Sequence, residues 1–431
     1  MSKLQQSFSA LRHRNFRLFL SIRFLLTFAA QMQITVLGFY VYQLTHSKIA
    51  IAFIGLCEVI PAMGIALYGG HIADKKERRA LLLKAYGAVT LTSLILFIVT
   101  LPRIDLPATR IVYAIYALLF CNGVARAFYE PALFTVYANS VPKEQFHLTP
   151  ALNNLSWQIA SVTGPLAGGF LYAFAGGISA TSIIVTLLLA IAVIQITRLS
   201  RFPGAKTSIQ DEDLKTSLLS GFKFVFANKP MLYAMSLDLF SVFFGGVSAL
   251  LPVYALDILH VGAQGLGIMR MMMSLGAVLT MLAAIRFPPT GRPWRNLLIA
   301  AGGFGICVIG FAFSKTFLLS LVLLFGQGAF DSISVLVRTT LMPLLTPEYM
   351  RGRVSAVNGM FIASSAEIGD FESGIMASLL GTMPAVLVGG CITVVVVVFT
   401  FFRTRDMMTL SLSELTEPAE QPQQPRPTVS V

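Results

Sequence analysis

Long apolar runs separated by short polar loops repeat along the whole chain. Each run is close to or above the roughly 20 residues a helix needs to cross a bilayer. In lipid every backbone N–H and C=O must be satisfied within the structure, so the runs are predicted as helices. Twelve spans result: 17–43, 49–73, 80–101, 108–131, 149–174, 178–198, 231–258, 264–286, 294–314, 316–338, 354–380 and 384–403. The predicted organisation is a six-helix bundle (1–198), a polar connector (199–230), a second six-helix bundle (231–405) and a tail (406–431). The connector has room for a surface helix near Leu214–Ala227, and the tail, rich in Pro, Gln and Glu, is expected to be disordered.

Composition agrees with an all-α integral membrane fold. Apolar residues make up 55% of 431 positions and charged ones 12%, with mean hydropathy +0.75. The net charge of +12 would suit a nucleic-acid partner, but its distribution excludes one. With Met1 in the cytoplasm, 24 of the 32 Lys and Arg fall in cytoplasmic segments. Only Lys48, Arg103, Arg110 and Lys315 lie in outer loops or at their edges, and Arg23, Arg126, Arg270 and Arg338 lie well within spans or at a span end. This positive-inside pattern places both termini in the cytoplasm. The first span is too long for a signal-peptide core and should remain as a membrane helix.

Cys57, Cys121, Cys307 and Cys391 are isolated within spans and the five His are scattered, so no disulfide framework, metal site or cofactor is expected. No nucleophile–base constellation appears, which argues against an enzyme.

Sliding the chain along itself by 205 residues brings two stretches into register. Phe120 meets Phe325, Gly123 meets Gly328, Asn153 meets Asn358, Gly164 meets Gly369, Gly169 meets Gly374 and Gly176 meets Gly381. Internal duplication of this kind is the plan of a secondary transporter with two related halves. The register also exposes differences: Arg126 falls on Asp331, and Pro165 falls on Asp370.

Nine ionisable residues sit well within spans: Arg23, Glu58, Arg126, Asp238, Arg270, Asp331, Glu367, Asp370 and Glu372. At roughly 2.5–3.5 kcal/mol each at mid-bilayer they would cost about 25 kcal/mol if unpaired. That exceeds the ~5–15 kcal/mol stability of an ordinary domain, so they must pair, protonate or face water. Six acids against three bases leave carboxylates over, for which protonation or a cationic ligand is the remedy.

Spans 1, 4, 7 and 10 each carry one charge about two turns from the cytoplasmic side: Arg23, Arg126, Asp238 and Asp331. Polar stripes run with them, Gln327, Asp331, Ser334 and Arg338 on span 10, Asn122, Arg126 and Tyr129 on span 4, and Arg23, Thr27 and Gln31 on span 1. One expectation is a cytoplasmic gate in which the two Arg meet the two Asp across the halves when the protein opens outward. The alternative is static pairing within each half. In span 11, Glu367 and Asp370 are i, i+3 neighbours and should resist simultaneous ionisation, as a proton carrier requires. Glu372 and, in span 2, Glu58 are further candidates for the same role.

The loop after span 2 reads Gly69-Gly70-His-Ile-Ala-Asp74-Lys-Lys-Glu77-Arg78-Arg79. It resembles the signature of the major facilitator superfamily, with Glu77 where the commonest form has Gly. Span 5 contains Gly164-Pro165-Leu-Ala-Gly168-Gly169, similar to the motif of drug:proton antiporters in that superfamily, with Ala160 at the position of the upstream Gly. Asn139-Ser-Val-Pro142 and Ala151-Leu-Asn153 also look like the drug and siderophore exporter branch. The resemblance implies that Gly70 permits close helix approach, while Asp74, Arg78 and Arg79 latch the halves at the cytoplasmic face. It further implies a bacterial inner-membrane, monomeric, proton-coupled exporter that rocks two bundles about a cavity lined by spans 1, 4, 7 and 10. The expected partners are protons, lipid and a small molecule, a siderophore in preference to a cationic drug. A multidrug or macrolide pump, a lysophospholipid transporter and an uncoupled facilitator stay open as alternatives.

Overall fold

A computed structural model describes residues 10–142, 145–146, 149–202, 214–289, 291–347 and 350–408. The first half contains α1 (Arg14–Thr45), α2 (Lys48–Lys75), α3 (Arg78–Val99), α4 (Ala108–Ala138), α5 (Thr149–Phe174) and α6 (Gly177–Thr197). A connector helix (Leu214–Ala227) leads into α7 (Lys229–Gly245), α8 (Gly262–Arg286), α9 (Pro293–Phe313), α10 (Phe317–Leu345), α11 (Arg351–Leu380) and α12 (Thr382–Arg403). The expected tail from 409 onward lies outside the described residues.

Among the described residues ten spans are long and apolar enough to cross a membrane unaided. The two long helices that fall short are α5, with Asn153, Asn154 and Gln158, and α11, with its three acids. Both lie at the seam between the halves, α5 along α8 and α11 along α2. The outer helices show the reverse pattern. Leu91, Ile95 and Ile98 on α3, and Leu187, Ile191 and Ile194 on α6, are exposed at i, i+4, i+7 spacing. Such apolar stripes suit a hydrocarbon solvent and would be untenable in water.

The glycines paired by the 205-residue register make equivalent contacts. A Cβ on Gly123 would strike the Glu58 carbonyl of α2, and one on Gly328 the Met273 carbonyl of α8. At Gly164 it would lie 3.0 Å from the Phe28 carbonyl oxygen of α1, and at Gly369 2.6 Å from that of Phe243 on α7. Gly169 and Gly374 serve the seam itself, against Ala263 and Gly267 of α8 and against Lys48 and Ala52 of α2. Small residues are what allow membrane helices to touch through their backbones. The turns after α5 and α11 also match, with Gly176 at φ 107° and Gly381 at φ 96°, a region that favours glycine.

Span 7 departs from its expected single helix. It stops at Gly245 and resumes as a 3-10 turn (Ser248–Leu250), one α turn and a π turn (Tyr254–Ile258). The groups freed by the break are taken by side chains of three helices. Gln327 Nε2 donates to the Gly245 carbonyl at 3.4 Å, Ser373 Oγ to Gly246 at 3.1 Å, and Arg270 Nη2 to Ser248 at 3.4 Å. Asp370 accepts from the Ala249 backbone N–H. Broken backbone at membrane depth is tolerable only with such internal partners.

Candidate transport cavity

A cavity of about 780 Å³ lies between the halves. One face of α1 lines it with Phe19, Arg23, Thr27, Gln31 and Ile34, spaced about one helical turn apart. α4 adds Asn122, Arg126, Tyr129 and Glu130, α2 adds Glu58, and α5 adds Asn153 and Trp157. Among the described residues only Arg270 and Glu367 line it from the second half.

Arg126 is the electrostatic centre. Its Nε meets Glu130 Oε1 at 2.8 Å, one turn along α4, while Nη1 lies 3.5 Å from Glu58 and 3.8 Å from Glu367. Two glycines set this up. The contact at Gly123 presses the Glu58 backbone onto α4 one turn from Arg126. Gly55 leaves the space that the Glu367 carboxylate occupies, since a Cβ there would lie 2.6 Å from Oε2. Three acids thus surround one guanidinium, an excess of negative charge that added protons or cations would offset. The span count passed over Glu130 and Gly55. The i, i+4 step from Arg126 pointed to Glu130, but nothing local marks Gly55.

The expected meeting of Arg23 and Arg126 with Asp238 and Asp331 is not formed in this conformation. Asp238 instead pairs with Arg338 at 2.6 Å, both side chains 7% exposed or less. Asp331 and Ser334 face a small crevice with Asp238, Ala300 and Phe304 inside the second half. The polar stripe of α10 therefore faces α7 and α9, and Arg338 is the base missing from the charge count of nine.

Glu367 and Asp370 also diverge despite their i, i+3 spacing. Glu367 enters the cavity, whereas Asp370 grips the break in span 7 near Arg270. Glu372 lines neither place. Of the remaining polar candidates, Gln31 lies beside Gly164, and Asn122 Oδ1 accepts from Thr92 Oγ1 at 2.5 Å.

At the loop after α2 the close approach belongs to Gly69, which abuts Ala127 of α4, while a Cβ on Gly70 would meet open space. Arg79 Nη1 donates to the Leu199 carbonyl at 3.0 Å and the Arg78 N–H to Phe202 at 3.1 Å, both toward the end of the first half. The Asp74 side chain lies outside the described residues. In span 5, Gly164 and Gly168 rest on α1, while the Pro165 carbonyl and Gly169 meet Gly267 of α8.

Among the described residues, two hydrogen bonds and a ring contact join the halves at the end away from the termini. There the Tyr42 hydroxyl donates to Asp257, Lys48 Nζ donates to the Ala377 carbonyl at 3.0 Å, and Phe53 packs edge-on against Phe371. Toward the other end Trp157 and Phe134, both on the cavity wall, are 42% and 69% exposed. The cavity is sealed at one end and accessible at the end that carries the termini.

The profile of a family described as transmembrane secretion effector matches residues 5–428. The chain belongs to that family. Transmembrane secretion effectors of this type are a branch of the major facilitator superfamily, and the solved structures agree on the fold. The nucleoside transporter NupG superposes with a TM-score of 0.68 at 17% identity, over 92% of this chain and 100% of its own. A D-xylose-proton symporter gives 0.71 at 14% identity, over 93% and 99%. Among curated relatives, the enterobactin exporter EntS of Shigella flexneri is 29% identical over 326 residues, 74% of this chain and 73% of the relative. Its counterpart in Citrobacter koseri is 28% identical over 333 residues, again 74% and 73%. This secretion effector is thus a multi-pass membrane transporter for a small molecule.

Proposed function

We propose that this chain is a proton-coupled exporter that moves a siderophore-like small molecule out of the cytoplasm by alternating access. The observation that carries it is the ion pair between Arg126 and Glu367, 3.8 Å apart, which joins the two halves on the wall of a cavity sealed at one end. A proton arriving on Glu367 would neutralise the acid that, among the described residues, the second half contributes to the cavity wall. That loosens the seam beside the cavity and favours the alternate opening.

In this reading the bundles 1–198 and 231–405 rock as bodies, with the connector helix between them and both termini cytoplasmic. The open end then faces the cytoplasm, ready to load cargo for export. The relatives named enterobactin exporters support the direction and the siderophore class, and favour a bacterial inner membrane. The protein works as a monomer with lipid around it.

Reconstitution tests this. In proteoliposomes with an imposed pH gradient, siderophore transport should be accompanied by counter-movement of protons. Transport with no change in internal pH would identify a facilitator instead. Transport of lipophilic cations but not of siderophores would identify a multidrug pump.

A further inference from the structure

The cavity holds three guanidinium groups, and they are not equivalent. The three acids on its wall, Glu58, Glu130 and Glu367, all gather on Arg126 within 3.8 Å. Arg270 is engaged by the Ser248 carbonyl and lies in the field of Asp370. Arg23 makes no ion pair or hydrogen bond with any described residue, and its Nε is buried without a partner. The titratable groups around it are Tyr86 and Tyr137, whose phenols are neutral, and Glu130, which is already bonded to Arg126.

A buried guanidinium nitrogen left this way lacks the partner that nearly every such group has. Its surroundings are aromatic. Tyr86 stacks on Tyr129 with ring centroids 4.5 Å apart, and Phe19, one turn before Arg23, stacks on Tyr137 at 5.2 Å. Both ring pairs line the same cavity.

We infer that Arg23 is an anion-binding subsite of the cavity, taking one carboxylate or phenolate group of the cargo while an attached ring packs on the Tyr86 and Phe19 pairs. A guanidinium binds a carboxylate through two parallel N–H donors, which fixes orientation as well as charge. The subsite separates two functions that one Arg cannot serve at once. Arg126 stays with the acid triad at the seam, and Arg23, on the first half alone, holds cargo. The inference rests on the proposed transport function only in taking the cavity as the cargo site.

The protein carries its own reporter. Of two tryptophans, Trp157 is on the cavity wall and 42% exposed, whereas Trp294 is 1% exposed and bonded to Thr404. Three ring compounds of equal size serve as probes: 3-nitrobenzoate, 3-nitrobenzamide and 3-nitrobenzylammonium. Added to purified full-length protein, the benzoate should quench Trp157 saturably, and Trp157→Phe should abolish that signal.

Arg23→Gln should weaken benzoate binding roughly tenfold or more, the usual scale for a charge-assisted bond. Arg23→Lys should restore part of it. Equal affinity for all three probes, or benzoate binding unchanged in Arg23→Gln at an unaltered melting temperature, overturns the subsite. Transport is not needed for this readout. Benzoate binding without proton-driven export would sink the exporter reading and leave the subsite standing, and proton-driven export indifferent to Arg23→Gln would do the opposite.

Discussion

Glu367 of α11 reaches across the seam to Arg126 of α4, Oε1 to Nη1 3.8 Å, through the space that Gly55 leaves open. The pair is the polar link between the halves at the cavity, and its neighbours Glu58 and Glu130 hold Arg126 to the first half. A link made of one second-half acid is one that a single proton can switch.

Glu367→Gln should therefore abolish proton-driven transport while leaving substrate exchange across vesicles in the absence of a gradient. Gly55→Ala should act in the same direction, because its Cβ would displace the end of a flexible carboxylate without straining backbone. Vesicle flux with and without a pH gradient decides it. Full coupling in Glu367→Gln would remove the residue from the mechanism.

The Tyr42–Asp257 bond should hold the outer end shut. A hydrogen bond to an ionised group is worth about 1.5–3 kcal/mol, a shift of roughly ten- to a hundredfold in a two-state equilibrium. Tyr42→Phe and Asp257→Asn should each raise thiol labelling of a cysteine placed near residue 38 from the outer side. Unchanged labelling in both would show that the aromatic and backbone contacts suffice.

The buried Asp238–Arg338 pair should behave as structure, not gate. Removing one partner leaves an uncompensated buried charge at a cost of about 3–5 kcal/mol, whereas apolar replacement of both is often neutral. Asp238→Asn should lower the melting temperature clearly, and Asp238→Leu with Arg338→Met should recover most of the loss. A double variant that melts normally yet cannot transport would return these residues to the transport cycle.

Gly169 and Gly70 should separate under the same substitution. Gly169→Val drives a side chain into the backbone of Ala263 and Gly267, and overpacking of this kind costs about 1–3 kcal/mol. It should open the seam and lower thermal stability in detergent. Gly70→Ala meets nothing in this conformation and should melt like the parent. Any transport defect in Gly70→Ala then belongs to the opposite conformation, where the halves close over that loop.

Much of the fold was legible because lipid imposes strict terms. Twenty-residue apolar runs in hydrocarbon have no alternative to helix, and the shift-matched glycines mark where those helices touch. Gly164 and Gly369, or Gly169 and Gly374, could be paired from the chain alone because both halves solve one packing problem. Charge pairing was not legible in the same way. Position on a helix defines a depth and a face, and so placed Asp238, Asp331, Arg23 and Arg126 at one level. It does not say which neighbouring helix that face meets. Asp331 turned inward to its own half, and Arg338, at the very end of its span, was the partner that Asp238 found.

The break in span 7 shows the same limit from the other side. Residues 231–258 read as one apolar run, and Gly245-Gly246 alone would not stop a helix in lipid. The helix stops because Gln327, Ser373, Arg270 and Asp370 arrive from three other helices to take the freed groups. The amino-acid sequence determined the long apolar helices and the duplication, since these follow from local hydropathy and from the repeated glycines. Only the tertiary structure decided which acids surround Arg126, which Arg stands free and where a helix breaks, because each depends on residues from distant segments meeting across a packed seam.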